Sequence, residues 1–383
     1  MVKRKANQIK LLFFGYPSKS INYTGGFLWM KKVADNIEKN HRYLIIKIYK
    51  QHSIKNRYLK IIDSICDITR ALANNPHIAF LDAWGESNIV LWLLLRIMKP
   101  KTKIFIVFHH HEPRIIYCKN VFESIYNHII QRFIIVMLRN SDTILTVSQT
   151  SKQQLINIYG IERNKTTNFK KSEEKKERTV EELDNKIAIV GTGTEKNFFK
   201  EKESIKTKKD IDFLCIGRIE KFHGLEKIWL TIKTQRPKSN LVIVGRATKE
   251  HIARLRKIGI DHRGFVSEEE KINLYSKSKV FIFPSSREGF GIALAEAIYA
   301  NLHVVAWKIP VFEELYSNKN SAKIKLIEFE NYNLFAEECL NALDQQEEDK
   351  RLDKNNKKIC FYFPTWQTVA KNVMMAIESI NIQ

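Results

Sequence analysis

The stretch VFIFPSSREGFGIALAEAIYA, residues 280–300, decides the fold of this chain. An apolar run ends at Pro284, a short loop with two glycines follows, and an alanine-rich helical pattern begins at Ile292. A buried strand, a glycine loop and a helix in this order are typical of one unit of a doubly wound parallel sheet. Such sheets bind ligands outside the carboxyl ends of their strands, so this loop is the first place to look for function.

The same alternation of short apolar runs with longer amphipathic runs extends over most of the chain. Runs that are apolar on both faces and alternate with helices predict parallel sheets covered on both sides, and therefore the α/β class. A chain of 383 residues is long enough for two such domains, which we expect to face a central cleft. The predicted strands are 9–14, 43–48, 77–81, 103–108, 143–147, 187–190, 211–216, 241–244, 280–283 and 304–306.

Two polar stretches predict the domain boundaries. Residues 161–186 are rich in Lys and Glu and predict a charged surface insertion in a first Rossmann-like domain, 1–194. Residues 195–209 predict a linker, followed by a second Rossmann-like domain at 210–360. The remaining residues, 361–383, predict a final helix with Thr365 as its N-cap.

Composition excludes several classes of protein. The apolar fraction of 44% is that of a globular chain rather than a disordered one. The five cysteines are dispersed without a CxxC pair, which argues against a disulfide framework or a zinc site and favours a reducing compartment. No apolar run is expected to reach the roughly 18 to 20 residues of a membrane span, and the basic N-terminus lacks a cleavage site.

Two glutamates in the 280–300 segment are candidate ligand-binding residues. Glu296 stands among apolar helix residues, and a buried carboxylate there needs hydroxyl or amide donors such as a ribose diol. Glu288, in the loop, can accept hydrogen bonds from sugar hydroxyls. The helix N-terminus beside Gly291 offers unpaired N–H groups and a positive dipole end to a phosphate. The alternative is that Glu288 is a solvated loop residue and that Glu296 faces water.

Three further segments lie directly after a predicted strand or at the start of a predicted helix, where ligand-binding residues are expected. Arg218, in GRIEKFHG directly after a strand, can pair with a diphosphate through two hydrogen bonds, or can be an ordinary surface arginine. The pair Gly25 and Gly26 opens the first helix and permits close approach of a ligand, although most glycine pairs are turns. The HHHEP run at 109–113 supplies a candidate acid or base. A metal site there is disfavoured, because consecutive residues of an extended chain diverge.

Taken together, these segments resemble the retaining GT-B glycosyltransferases of family four, also called glycosyl transferases group 1. The most specific match is the Glu-x7-Glu motif, formed by Glu288 and Glu296 in EGFGIALAE. The other matching segments, in chain order, are the Gly25-Gly26 pair, the histidine after a middle strand, SDTILTVSQTSKQQL, IAIVGTGTEKNFF, GRIEKFHG and the helix at Trp366.

The resemblance implies an enzyme that transfers a sugar from a UDP- or GDP-sugar with retention and without a metal or other cofactor. It assigns the acceptor to the first domain and the donor to the second, and implies that the final helix packs back on the first. Glu296 would bind the donor ribose, Glu288 the donor sugar, and Arg218 the diphosphate. Catalysis would fall to His109, Glu288 and Arg218, with His110 and His111 as alternates for the histidine. The donor-binding set would be Gly25, Gly26, Arg218, Lys221, His223, Glu288, Gly289, Phe290, Gly291, Ile292 and Glu296.

One departure from the family pattern concerns a cation. His223 stands where the family usually has Lys, which removes a permanent charge unless Lys221 reaches the site or His223 is protonated. A catalytically inactive donor-binding protein is therefore an alternative to an enzyme.

The charge raises the question of partners. Lys and Arg number 64 against 42 Asp and Glu, a net charge of +22, and residues 1–160 hold 24 against 9. A glycosyltransferase acting on DNA or another polyanion is one interpretation, but no nucleic-acid motif supports it. The basic, apolar pattern 119–139 favours an anionic membrane surface. We therefore expect a cytoplasmic enzyme, peripheral on the membrane, that acts on a lipid-linked or other glycan.

Overall fold

Two six-stranded parallel sheets form the framework of the chain. The computed structural model describes residues 8–17, 25–50, 57–84, 86–110, 121–161, 181, 183–194, 209–317, 323–351 and 363–380. Each sheet belongs to its own compact unit. The first unit comprises residues 1–193 together with 366–383, and the second comprises residues 194–365.

The sheet of the first unit has the strand order β2-β1-β3-β4-β5-β6, with every pairing parallel. Its middle strands are buried along almost their whole length, as expected for a sheet covered on both faces. The strands are β1 Ile9–Pro17, β2 Tyr43–Lys50, β3 Ile78–Asp82, β4 Lys103–Phe108, β5 Thr143–Thr146 and β6 Ile187–Ile189. The helices are α1 Gly25–Ile37, α2 Arg57–Ala73, α3 Glu86–Met98, α4 Val121–Arg139 and α5 Gln149–Ile161, and α12 Trp366–Glu378 from the end of the chain.

Helix α12 completes the first unit by packing against α1. Its apolar stripe recurs at helical spacing, and Trp366, Val369 and Val373 are buried. Leu183 also packs into the apolar core of this unit, and α5 continues to Ile161. Leu183, near the end of the predicted insertion 161–186, is therefore a core residue, while Glu181 and Asn185 on either side of it are exposed. Residues 162–180 and 182, and the predicted linker except Lys209, lie outside the described residues.

The sheet of the second unit has the strand order β12-β11-β10-β7-β8-β9 and is also parallel. Strands β7 and β10 are central, so the loops that follow them are neighbours at the carboxyl edge. The strands are β7 Ile211–Ile216, β8 Leu241–Val244, β9 Asp261–His262, β10 Ser278–Phe283, β11 His303–Trp307 and β12 Ile324–Ile327. The helices are α6 Leu225–Gln235, α7 Lys249–Lys257, α8 Glu268–Lys277, α9 Ile292–Tyr299, α10 Pro310–Tyr316 and α11 Tyr332–Arg351.

The α/β prediction of two doubly wound sheets is confirmed, and a strand is found at each predicted position. Strands β9 and β12 and helix α10 were not predicted from the sequence. Strand β9 has two polar residues, and β12 is a four-residue edge strand that Lys325 interrupts. Neither carries the continuous apolar run by which the central strands are recognised.

Helix α4 is long and apolar enough to cross a membrane by length and composition, with a mean hydropathy of 1.2, and it alone meets this test among the described residues. The expectation that no run reaches this length is therefore wrong for α4. Its inner face carries Ile134, Ile135, Met137 and Leu138, all buried in the first unit. Helix α4 is thus one layer of that unit.

Candidate active site

The loops after β7 and β10 are joined by backbone hydrogen bonds at the carboxyl edge of the second sheet. The His223 amide donates to the Pro284 carbonyl over 2.8 Å, and the Ser286 amide donates to the Lys221 carbonyl over 2.9 Å. The two most informative segments of the sequence, GRIEKFHG and PSSREGFG, are thereby held against each other. Side chains from both loops are fixed in one place.

Glu288 is bound on both carboxylate oxygens. The Ser285 hydroxyl donates to its Oε1 over 2.8 Å, and the Lys221 ammonium lies 3.7 Å from its Oε2. The Lys221 side chain is only 8% exposed, so a buried cation stands beside the loop carboxylate. The interpretation of Glu288 as a solvated loop residue is excluded.

His223 has different partners from Lys221. Its ring stacks on Phe329 and Tyr332, with centroid distances of 4.8 and 5.8 Å. Its Nε2 lies 3.0 Å from Glu330 Oε1 and 2.7 Å from the Tyr332 hydroxyl. Among the described side chains, these are the groups that hold the His223 ring. The cation beside Glu288 is therefore Lys221, and the structure does not bring His223 to that carboxylate.

Arg218 lies directly after β7 and precedes a short 3-10 helix, Ile219–Lys221. The Lys221 amide donates to the Arg218 carbonyl over 3.0 Å, so the two cationic residues share one turn. Arg218 is half-buried. A ligand at the carboxyl edge of β7 would meet a guanidinium and an ammonium on a rigid turn, a suitable arrangement for a diphosphate.

Helix α9 begins at this edge with Gly291 as its N-cap. Gly291 has φ of 83°, in the left-handed region, and a Cβ there would lie 2.7 Å from Phe312 Cε1. Gly289, Phe290 and Gly291 are buried, so the loop is pressed close to the sheet. The first amides of α9, beginning with that of Ile292, have no acceptor within their own helix. They and the helix dipole stand where the sequence predicts an anion site.

Glu296 is buried, with 6% of its surface exposed, which excludes the interpretation that it faces water. Its Oε1 lies 2.9 Å from the Lys271 ammonium, and the Tyr275 hydroxyl donates to its Oε2 over 3.1 Å. Lys271 also lies 3.0 Å from Glu268. Burial opposes the charge on Lys271, but the carboxylates of Glu296 and Glu268 raise the pKa of its ammonium above the ordinary value. The protein itself therefore supplies the donors that a buried carboxylate needs.

At the carboxyl edge of the first sheet, Gly26, His109 and Asp82 meet. A Cβ on Gly26 would lie 3.0 Å from His109 Cδ2 and 3.7 Å from Asp82 Oδ2. His109 Nε2 is 3.9 Å from Asp82 Oδ2, and the His109 side chain is 13% exposed. A side chain at Gly26 would therefore crowd the His109 ring, which would have to shift by a few tenths of an ångström. Gly25, the first residue of α1, is exposed.

The backbone of the histidine run is fixed by two side chains. The Ser151 hydroxyl donates to the His109 carbonyl over 2.8 Å, and the Trp84 indole donates to the His110 carbonyl over 3.1 Å. It is the His109 ring that packs beside Gly26, while His111 lies outside the described residues. Among the described residues, no group of three His, Cys, Asp or Glu side chains is arranged to hold a metal ion.

Sequence reasoning missed three residues of these clusters. Lys271 and Tyr275 lie four residues apart on α8, which places both on the face turned toward Glu296. Asp82 is an acidic residue at the end of a buried strand, the position at which ligand-binding side chains collect.

Two family models match the chain, and together they cover most of it. The model described as Glycosyl transferases group 1 matches residues 196–359, and the model described as Glycosyltransferase Family 4 matches residues 31–167. The chain thus carries a segment of the group 1 glycosyltransferases at 196–359 and a segment of glycosyltransferase family 4 at 31–167. It is therefore a transferase of the glycosyl-transferring class.

This glycosyltransferase is similar to the O-antigen chain mannosyltransferase RfbU of Salmonella typhimurium. The two are 24% identical over 323 residues, covering 70% of this chain and 80% of RfbU. Sucrose-phosphate synthase from Thermosynechococcus elongatus has a TM-score of 0.69 at 13% identity, covering 97% of this chain and 98% of that one. Anabaena HepE in complex with UDP-glucose has a TM-score of 0.63 at 11% identity, covering 97% and 100%. These structures show that the glycosyltransferase has the GT-B fold.

Proposed function

We propose that this glycosyltransferase moves a sugar from a nucleotide diphosphate sugar to a glycan acceptor, with retention at the anomeric carbon and without a metal ion. The observation that carries the proposal is the cation turn: Arg218 and buried Lys221 share one turn, and Lys221 stands beside Glu288 in the loop that leads into α9. Cleavage of the donor leaves negative charge on the diphosphate. Preorganised cations and amides at that position stabilise the charge, and each donor is worth about 3 kcal/mol.

The other roles follow from motif position. Glu288 accepts hydrogen bonds from hydroxyls of the donor sugar, and Glu296 from the donor ribose. Both carboxylates already have protein partners, but each carboxylate oxygen keeps a further lone pair for a ligand hydroxyl. His109, held beside Gly26, touches the sugar near the reacting bond. Lys221 beside Glu288 supports an active enzyme, because a cation other than His223 stands at this loop.

The acceptor and donor are proposed from the relatives. RfbU is described as an O-antigen chain mannosyltransferase, which supports transfer of a mannosyl-type hexose in glycan biosynthesis. The HepE structure contains UDP-glucose, which makes a UDP-sugar the other donor to test. We place the reaction on the cytoplasmic face of the membrane, where a lipid-linked glycan would be the acceptor.

Nucleotide release from GDP-mannose and from UDP-glucose, with and without a lipid-linked glycan, tests the proposal. Arg218→Ala and Lys221→Met should each lower the transfer rate about a hundredfold, since each removes one charge-stabilising donor. Arg254→Ala is the matched control, because Arg254 is a well-exposed arginine on α7. Full activity of both site variants would disprove the assignment.

Two further measurements separate the finer parts of the proposal. Transfer should persist in excess EDTA, and loss of transfer that Mg²⁺ or Mn²⁺ restores would disprove metal independence. The anomeric configuration of the first product, read by NMR, should equal that of the donor. An inverted product would leave the site assignment intact and disprove retention.

A further inference from the structure

The exposed large apolar side chains of this glycosyltransferase are concentrated on two helices. Helices α3 and α4 pack against each other on one face of the first sheet. Among the described residues, 20 large apolar side chains are exposed, and 11 of them lie on α3 and α4. Monomeric soluble proteins rarely keep a contiguous apolar surface of this kind without a partner. Neither helix takes part in the proposed chemistry.

Helix α4 is apolar on both faces. Its inner face is buried in the core, and its outer face presents apolar side chains at spacings of three and four residues. The stripe from Phe122 to Val136 runs about 21 Å along the helix at 1.5 Å per residue. Phe122 at its start is 85% exposed. The outer apolar side chains are Val121, Phe122, Ile125, Tyr126, Ile129, Phe133 and Val136.

Helix α3 extends the same surface. Val90, Leu93 and Ile97 recur at spacings of three and four residues, and Met98 adds to the stripe at the helix end. Ile97 is 67% exposed. The two stripes on adjacent helices make one apolar face, which we define as the α3–α4 face.

The charges around the α3–α4 face are mostly positive. Residues 86–101 and 121–139 contain five basic and two acidic residues; Arg96 is paired with Asp142 over 2.8 Å, and both acidic ones, Glu86 and Glu123, lie in the first turns of their helices. Lys101 and Arg132 are exposed beside the apolar stripes. Apolar side chains flanked by basic ones suit an anionic lipid surface, which takes the apolar groups below its headgroups and attracts the cations. A second copy of the same face would instead bring like charges together.

We propose that the α3–α4 face is an interfacial membrane-binding surface, with α3 and α4 lying in the plane of an anionic leaflet. This deepens the proposed function by naming the surface that brings the enzyme to a lipid-linked acceptor, and it rests on that function for its purpose. The surface itself is inferred from exposure and charge alone. Vesicle binding can therefore fail while sugar transfer remains, and the reverse.

Flotation of the full chain with vesicles tests the proposal. Wild type should bind vesicles that contain phosphatidylglycerol, and bind pure phosphatidylcholine at least tenfold more weakly, because each basic residue near an anionic surface contributes about fivefold. Phe122→Ser with Ile129→Ser should weaken binding at least tenfold, since burial of one such side chain is worth about tenfold or more. Met375→Ser with Leu230→Ser is the matched control, as these exposed apolar residues lie on α12 and α6. Nucleotide release without lipid should be unchanged in both double variants.

Arg132→Glu with Lys101→Glu should lower binding to anionic vesicles and leave the weak binding to neutral ones unchanged. Equal binding of wild type and the Phe122→Ser, Ile129→Ser variant would overturn the proposal. So would a wild-type dimer in sedimentation velocity that these two substitutions dissociate, with no vesicle binding. Vesicle binding by an enzyme that releases no nucleotide would support the surface and count against the proposed function instead.

Discussion

The buried ion pair of Glu296 and Lys271 makes a quantitative prediction about stability. Glu296→Ala leaves the Lys271 ammonium, whose side chain is 14% exposed, without its nearest carboxylate. Removing one partner of a buried pair costs about 3–5 kcal/mol of the free energy of unfolding. Glu268 remains 3.0 Å from Lys271, but its side chain is 59% exposed, and an exposed partner is worth at most about 1 kcal/mol. We therefore expect a loss of about 3 kcal/mol, at the lower end of that range.

Equilibrium urea unfolding, followed by tryptophan fluorescence, measures this loss. Trp229 and Trp307 are fully buried in the second unit and report its unfolding. A loss of about 3 kcal/mol moves the urea midpoint down by about 1 to 2 M. Glu296→Gln keeps an acceptor for Lys271 and should lose only about 1.5 kcal/mol. Adding Lys271→Met to Glu296→Ala should restore at least half of the loss, because the uncompensated charge is gone.

An exposed ion pair serves as the control. Glu328 lies 2.6 Å from Lys308 with 71% of its side chain exposed, so Glu328→Ala should cost less than about 1 kcal/mol. The reasoning is refuted if Glu296→Ala unfolds at the wild-type midpoint, or if Lys271→Met deepens its loss. The result also decides which variant is informative in activity assays. Glu296→Gln tests ligand binding, whereas Glu296→Ala mixes ligand binding with destabilisation.

Three further outcomes are expected. Gly26→Ala should lower the transfer rate at least tenfold, because its Cβ displaces His109. The free energy of unfolding should change little, since alanine gains about 1 kcal/mol of helix propensity over glycine. A normal transfer rate in this variant would contradict the packing of Gly26 against His109. Gly291→Ala should cost about 2 kcal/mol or more in urea unfolding, from its left-handed φ and its contact with Phe312. The pKa of Lys271 is raised in the folded protein. Its ion pair therefore contributes fully to the free energy of unfolding below about pH 10.4, and this contribution is lost as the pH rises through the higher folded pKa. Wild-type stability should therefore fall between about pH 10 and 12 more steeply than that of a variant with Lys271→Met and Glu296→Leu.

The fold could be predicted because its decisive strands are apolar on both faces. Strands β3, β4 and β10 are continuous apolar runs between turn residues, and that local pattern is sufficient to place them. Strand β12 escaped because it is a four-residue strand at the sheet edge, where Lys325 interrupts the apolar run and only Ile327 is buried. The apolar helical pattern of α4 was recognised, but the polar residues that interrupt it hid that the whole helix has the length and composition of a membrane span.

The candidate site divides in the same way. Its loops and glycines are local features, and Arg218, Glu288 and Gly291 were predicted from their place after strands. The pairs that fix the side chains are not local. Lys271 lies 25 residues before Glu296, and only the packing of α8 against α9 joins them. The sequence spacing does not predict that Lys221 contacts Glu288 while His223 contacts Glu330.

The division of the chain also governs the order in which it folds during synthesis. The second unit is one continuous segment whose ends meet, since the Thr194 amide donates to the Pro364 carbonyl over 3.1 Å. The first unit waits for α12, whose Trp366 packs so closely on Gly193 that a Cβ there would lie 2.5 Å from the indole. On the ribosome, the second unit can therefore complete its core before the first unit does. Until α12 is made, the face of α1 that packs against α12 stays uncovered. A stalled or truncated chain would expose that apolar face to chaperones and proteases.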